Sequence, residues 1–290
     1  MLRQLFLQEI QSSSLMIHSS GSEVLTNISN AIINGNFVPE VMEQTIISTQ
    51  GQILGAFNET NNSSNPFNEW TEDSIAIIPL YGVMMKYGYW WSYGVDDIAT
   101  IIRLAYQSEN ISAVILKMDT PGGSTDSLFL LQEVLSEKTK PTYGFVDGMC
   151  ASCGYIVASY LDKLYAINPM ARIGSIGVMA QIVIPNKENA RYQIIEVYPD
   201  ESKDKNLPER QAVDGNQEPL KEQLAKLAIH FQDIVKENRP GINPEVLSGK
   251  MYYAYEAESL GMIDGVRTLT QVISELEILI AKRKEILSIL

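Results

Sequence analysis

The sequence predicts an α/β fold with a mostly parallel sheet. From residue 74 onward, short apolar runs rich in β-branched residues alternate with segments whose apolar residues recur at helical spacing. The strand-like runs are apolar at successive positions, as strands are when both faces of their sheet are covered. A chain of 290 residues also suits one large domain, or one domain with an appendage.

Residues 1–57 hold weakly amphipathic helical pieces, at 24–33 and 41–47. They read as a small helical N-terminal appendage. Residues 58–71 contain Asn58-Glu59-Thr60-Asn61-Asn62-Ser63-Ser64-Asn65-Pro66. That stretch is too poor in apolar residues to pack and reads as a polar linker. The main domain is expected over 72–267. Its strands fall at 74–80, 112–118, 142–146, 163–167, 176–184 and 193–198. Its helices fall at 95–106, 124–135 and 156–161, then at 220–237, with short ones at 243–247 and 256–260. Residues 199–217 read as a long polar loop, a type of segment that is often functional. A C-terminal helix is expected over 268–290. Val272, Leu276, Leu279, Ile286 and Leu290 recur there near heptad spacing, so it could pair with another helix.

A net charge of −13 argues against non-specific binding to nucleic acid or to anionic membranes. No apolar run approaches the roughly 18 residues of a membrane span. The first nine residues are interrupted by polar ones too early for a signal-peptide core. The expectation is a soluble, cytoplasmic protein, so no glycosylation is read from the sequons near Asn58 and Asn62. The two cysteines, Cys150 and Cys153, form a C-x-x-C at a helix start. A thioredoxin-type redox pair sits in the same way, but one C-x-x-C cannot complete a zinc site. The expectation is therefore no metal and no cofactor. There are two histidines, His18 in a Ser-rich stretch and His230 within a helix. A Ser-His-Asp triad has poor raw material here.

Four segments carry chemistry. In Asp147-Gly148-Met149-Cys150-Ala151-Ser152-Cys153-Gly154-Tyr155, Ser152 falls at a strand-to-helix turn among small residues. A hydroxyl there sits near the positive end of a helix, although an isolated serine before a helix is more often a cap. Asp119-Thr120-Pro121-Gly122-Gly123 ends a strand just before a helix. Its glycines permit close approach of a ligand to backbone N–H groups, but it matches neither nucleotide-loop pattern. Gly174-Ser175-Ile176-Gly177-Val178 joins two expected strands, and Ser202-Lys203-Asp204-Lys205 lies in the long loop. Loop lysines are mostly solvated. A desolvated lysine, however, gives up its charge readily and can act as a general base.

In order and spacing, these four segments resemble peptidase family S49, the signal peptide peptidase A and phage capsid assembly protease (protein C) type. Gly249-Lys250, Glu256-Ala257 and Gly261-Met262-Ile263-Asp264 resemble the family's closing segment. The likeness runs over about 74–267. It implies a ClpP/crotonase-like fold with repeated ββα units. It also implies peptide-bond hydrolysis by a Ser-Lys dyad, with Ser152 as nucleophile and Lys203 as base. The backbone N–H groups of Gly123 and Cys153 would form the oxyanion hole, and Ser175 would orient the lysine. Asp204 would then point away, toward solvent or Arg210. The family usually has glycine after the nucleophile where this chain has Cys153. The N–H donor survives that change, because any residue but proline has one.

The expected partners are a polypeptide substrate, such as scaffold or head proteins, and further copies of the chain. The absence of a span favours a phage or prophage capsid maturation protease, acting in the host cytoplasm or the procapsid. The alternatives are a soluble signal-peptide-peptidase-like protease and a catalytically silent crotonase-like protein that binds acyl-CoA. A redox C-x-x-C protein and a structural head component are further ones.

Overall fold

The computed structural model describes residues 15–34, 46–48, 53–54, 65–88, 93–180, 182 and 198–289. β1 (Leu15–Ile17) leads into α1 (Ser19–Ile33), and β2 (Ile46–Ser48), β3 (Ile53–Leu54) and β4 (Ser74–Tyr81) follow. Next come α2 (Val95–Gln107), β5 (Ile111–Thr120), β6 (Gly122–Ser124) and α3 (Thr125–Ser136). β7 (Thr142–Ala151) runs into α4 (Cys153–Ser159), then β8 (Lys163–Ala166) and β9 (Arg172–Gly174). α5 (Leu207–Val213) and α6 (Glu218–Asn238) precede β10 (Met251–Tyr253), α7 (Ala254–Ser259), β11 (Gly265–Val266) and α8 (Leu269–Ile289).

The main sheet has the order β10-β9-β7-β5-β4-β2-β3, with β8 also on β7 and β11 on β8. Its centre is parallel: β4 pairs β5, β5 pairs β7, and β7 pairs both β8 and β9. The expected α/β class and mostly parallel sheet are present. Both faces are covered, which is why the strands are apolar at successive positions. Ala76, Ile78 and Leu80 of β4 and Val114, Leu116 and Met118 of β5 lie in the core under α2, α3, α4 and α6. Ile75, Ala113, Ile115, Tyr143 and Phe145 point to the other face, where Val272, Leu276 and Ile280 of α8 cover them. Burying one such aliphatic side chain stabilises the fold by about 1.5–3 kcal/mol. So the first half of the heptad-like stretch packs on the sheet, while Ile286 is 60% exposed.

Several expectations change. In the region expected to be helical at 41–47, Ile46–Ser48 is a strand that pairs antiparallel with β4; residues 41–45 lie outside the described residues. The strand expected at 176–184 is displaced to Arg172–Gly174. Gly174 at φ 129° and Ser175 at φ 53° end the extended chain there, and residues 181, 183 and 184 are outside the described set. Of the strand expected at 193–198, only Tyr198 is described, and it is not in a strand. The expected loop at 199–217 contains a short 3-10 turn, Asp200–Ser202, and the helix α5, which has Pro208 in its first turn. A proline in a first turn loses no hydrogen bond.

β7 runs five residues past its expected end, through Asp147-Gly148, because β5 holds it there. Lys117 pairs with Asp147 at 2.7 Å, and Asp119 Oδ1 accepts the Met149 N–H at 2.9 Å. The first part of β7 pairs with β8 and the last part with β9. This extension delivers the chain to Ser152.

Candidate active site

Ser152 sits between β7 and α4. Its side chain is buried, and its backbone adopts φ 54° and ψ −121°. A non-glycine residue in that region stores about 1–3 kcal/mol of strain and persists only when its surroundings enforce it. They do so from two sides. The Ser152 N–H donates to the Gly174 carbonyl at 2.7 Å, and the Ser152 carbonyl accepts the N–H of Tyr155 at 2.9 Å. The hydroxyl donates to the Gly177 carbonyl at 3.3 Å. The Gly174-Ser175-Ile176-Gly177 segment therefore wraps the serine and holds its Oγ. That segment is itself fixed by the Ser175 N–H donating to Lys250 O at 2.9 Å.

The glycine-rich segment after β5 lies beside the same turn. The Cys153 thiol lies 3.9 Å from both the Ser124 carbonyl and the Ser127 hydroxyl. Thr120 pins the loop: its Oγ1 donates to Gly82 O at 2.6 Å and accepts the Gly122 N–H at 3.1 Å. Gly122 takes φ 91°, which favours glycine. Met84 grips β6 from one side, its N–H donating to Gly122 O and its carbonyl accepting the Ser124 N–H, both at 2.9 Å. A Cβ on Gly123 would stand 1.8 Å from Met84 O, so only glycine fits. Cys153 is the first residue of α4, and its N–H has no acceptor within the helix.

Ser152, Cys153 and the Gly122–Ser124 strand thus converge, and Ser175 stands next to the residue that accepts the Ser152 N–H. Lys203 does not join them. It ends the 3-10 turn Asp200–Ser202, is exposed, and its carbonyl accepts a hydrogen bond from Arg210 Nη2. Among the described hydrogen bonds and ion pairs, none links Lys203 to Ser152 or Ser175. Arg210 stacks 4.1 Å over the Tyr198 ring, and Asp204 is exposed.

Both cysteines are free and buried. Burial pushes both thiols up, Cys153 to about 12. Thiolates that attack disulfides need the opposite shift, so this C-x-x-C lacks the setting of a redox pair. Among the described residues no group of three or more His, Cys, Asp or Glu is placed to hold a metal ion. Among them, too, no helix is long and apolar enough to cross a membrane.

Sequence reasoning missed Thr120, Met84 and Asp119 as the parts that shape the site. Only Asp119 and Thr120 stood inside a singled-out segment, and nothing in their spacing indicated what they bind.

The family model for peptidase family S49 matches residues 135–282 of this chain. That match spans Ser152, the wrapping Gly174–Gly177 segment and Lys203. A Brucella melitensis protein named Na(+)/H(+) antiporter NhaA is 29% identical over 206 residues, covering 67% of this chain and 28% of that protein. Protease 4 of Haemophilus influenzae is 26% identical over 202 residues, covering 66% of this chain and 32% of that protein. Capsid assembly protease C of Escherichia phage lambda is 27% identical over 114 residues, covering 37% of this chain and 26% of that protein. The chain spans about a third or less of the length of each of these relatives. The matched model covers just over half of the chain and includes its serine turn and the closing Gly249–Asp264 segment; the chain belongs to peptidase family S49.

Proposed function

We propose that this chain is a serine endopeptidase that works through Ser152 and Lys203. The observation that carries the reading is the Ser152 turn: a buried hydroxyl on a strained strand-to-helix junction, beside a glycine strand and a helix-start N–H with no acceptor within its helix. Ser152 Oγ attacks the scissile carbonyl carbon, and its proton passes to Lys203 Nζ. The N–H groups of Gly123 and Cys153 stabilise the oxyanion. Lys203 then protonates the leaving amine as the C–N bond breaks. Water, deprotonated by the same lysine, releases the acyl group and restores the serine. Ser175 orients the lysine. With no histidine in these segments, the lysine must reach the serine as the free amine.

Labelling with a fluorophosphonate, with the adduct mapped by mass spectrometry, tests the nucleophile. Ser152 should carry the adduct, and Ser152→Ala should abolish both labelling and peptide hydrolysis while the fold persists. An adduct elsewhere, or an active Ser152→Ala, would overturn the assignment.

For the biological role we favour capsid assembly or maturation in the cytoplasm of a host cell, by likeness to the lambda protein. A signal-peptide-peptidase-like role is the second reading, by likeness to Protease 4. Incubation with phage head proteins and, separately, with signal peptides distinguishes them by which is cut. We also propose that the chain acts as a homo-oligomer. Ile278, Ile286 and Ile289 of α8 are exposed at 58%, 60% and 79%. Light scattering at micromolar concentration should give a multiple of the chain mass, and a monomer would refute the assembly.

A further inference from the structure

β6 has two edges. One is taken by Met84, which uses Gly122 O and Ser124 N. Alternation along a strand turns the N–H and carbonyl of Gly123 to the opposite edge. There β1 lies antiparallel, with Leu15 opposite Ser124, Met16 opposite Gly123 and Ile17 opposite Gly122. The pairing continues one step further, where the His18 N–H donates to Pro121 O at 2.7 Å. The backbone of Met16 therefore faces the N–H that the peptidase reading assigns to the oxyanion hole.

A sheet edge beside a reactive serine is a place where an extended polypeptide adds as a strand. Here that place is filled by the chain's own residues. We infer that β1 is an internal competitor: it occupies the edge that a substrate strand must take, and the enzyme is latent until β1 leaves. This inference rests on the peptidase reading above. The docking is anchored from the α1 side. Ile17 is buried, at 4% exposure. Gly21 lets α1 start against it, since a Cβ there would stand 2.6 Å from Ile17 Cδ1 and 2.7 Å from Pro121 Cγ. By contrast, among the described residues β1 pairs with β6 alone and is no part of the main sheet. Its release would leave the core strands and their helices in place.

Two substitutions in the full chain unseat β1 without touching the proposed catalytic groups. Ile17→Asp puts a charge where an apolar side chain is buried, and Gly21→Leu forces α1 away from Pro121. Hydrolysis of fluorescein-labelled casein is the readout. If β1 is docked about nine-tenths of the time, its removal raises kcat/KM about tenfold. A synthetic peptide of residues 12–20, added in trans, should then inhibit each variant competitively. Amide hydrogen exchange at Gly123 should speed up in both variants, which reports the docking independently of activity. Unchanged or reduced hydrolysis in both variants, with Ser152 still labelled by fluorophosphonate, would overturn this inference alone. If Ser152 is labelled in neither wild type nor variants and no casein is cut, the peptidase reading falls and takes this inference with it. A variant that fails to fold, judged by circular dichroism, leaves the decision to the other. If both fail to fold, β1 is a structural strand and the inference is refuted.

Discussion

Gly123→Ala should cost both stability and rate. The added Cβ would stand 1.8 Å from Met84 O, 2.5 Å from its carbonyl carbon and 2.7 Å from its Cα. Ordinary contact begins at roughly 3.4 Å, so β6 or the Met84 backbone must retreat by more than an ångström. That retreat breaks the Met84 N–H to Gly122 O and Ser124 N–H to Met84 O bonds, each 2.9 Å long. Two such bonds contribute about 1 kcal/mol each, and overpacking adds about 1–3 kcal/mol. The total is about 3–5 kcal/mol, a fall in Tm of about 5–8 °C for a chain of this size. The displaced Gly123 N–H should also cost about 10²–10³-fold in kcat, the usual effect of losing one oxyanion donor. Gly241→Ala is the control, because among the described residues nothing lies within 4 Å of a Cβ there and the site is remote from Ser152. Circular dichroism melts and casein hydrolysis on both variants decide the matter. A Gly123→Ala protein within about 0.5 kcal/mol of wild type and fully active would refute the packing argument and the oxyanion role together.

Asp264 Oδ2 accepts the Leu164 N–H at 2.7 Å and Arg239 Nη1 at 2.9 Å. Asp264→Ala should therefore lower the urea-derived stability by about 2–4 kcal/mol, mostly by stranding the nearly buried guanidinium; a loss under about 0.5 kcal/mol would contradict this. Burial holds the Lys140 ammonium down, to about 8. The unfolded chain, with an ordinary lysine near 10.4, then binds more protons across about pH 8 to 10.4. Lys140 should thus add a rise in stability with pH across that window, and Lys140→Met should remove it; equal urea midpoints-versus-pH slopes in the two proteins would refute it. Lys203→Arg and Lys203→Ala should both be inactive on casein, since guanidinium does not give up its proton and a methyl group has none to accept. A working Lys203→Arg enzyme would remove the lysine from the mechanism.

The order of strands and helices was legible because each long element carries its own periodicity. The two-faced burial of β4 and β5 is written in unbroken apolar runs, and the amphipathic face of α6 in its spacing. What escaped were elements defined by partners far along the chain. Three residues at 15–17 have no periodicity to read, and their strand exists only because β6 offers an edge. Likewise Ile46–Ser48 took strand form from β4 against a helical reading, a tertiary override of weak local propensity. Thr120 grips a carbonyl 38 residues away, which no local pattern encodes.

The serine turn shows the same limit inside a recognised segment. Small residues around Ser152 signalled a tight strand-to-helix junction, but a non-glycine residue at positive φ leaves no trace in residue type. Ser175 does the same at φ 53°. Each such backbone costs about 1–3 kcal/mol, and both serines are tied to one another's segment through Gly174, whose carbonyl takes the Ser152 N–H. The strain and the hydrogen bond that opposes it are therefore one feature. Releasing β9 from β7 would let both backbones relax and would turn the Ser152 hydroxyl away from Gly177. The reach of this serine thus depends on pairing the strand that leads into it, residues 149–151, with residues 172–174, a segment more than twenty positions further along the chain.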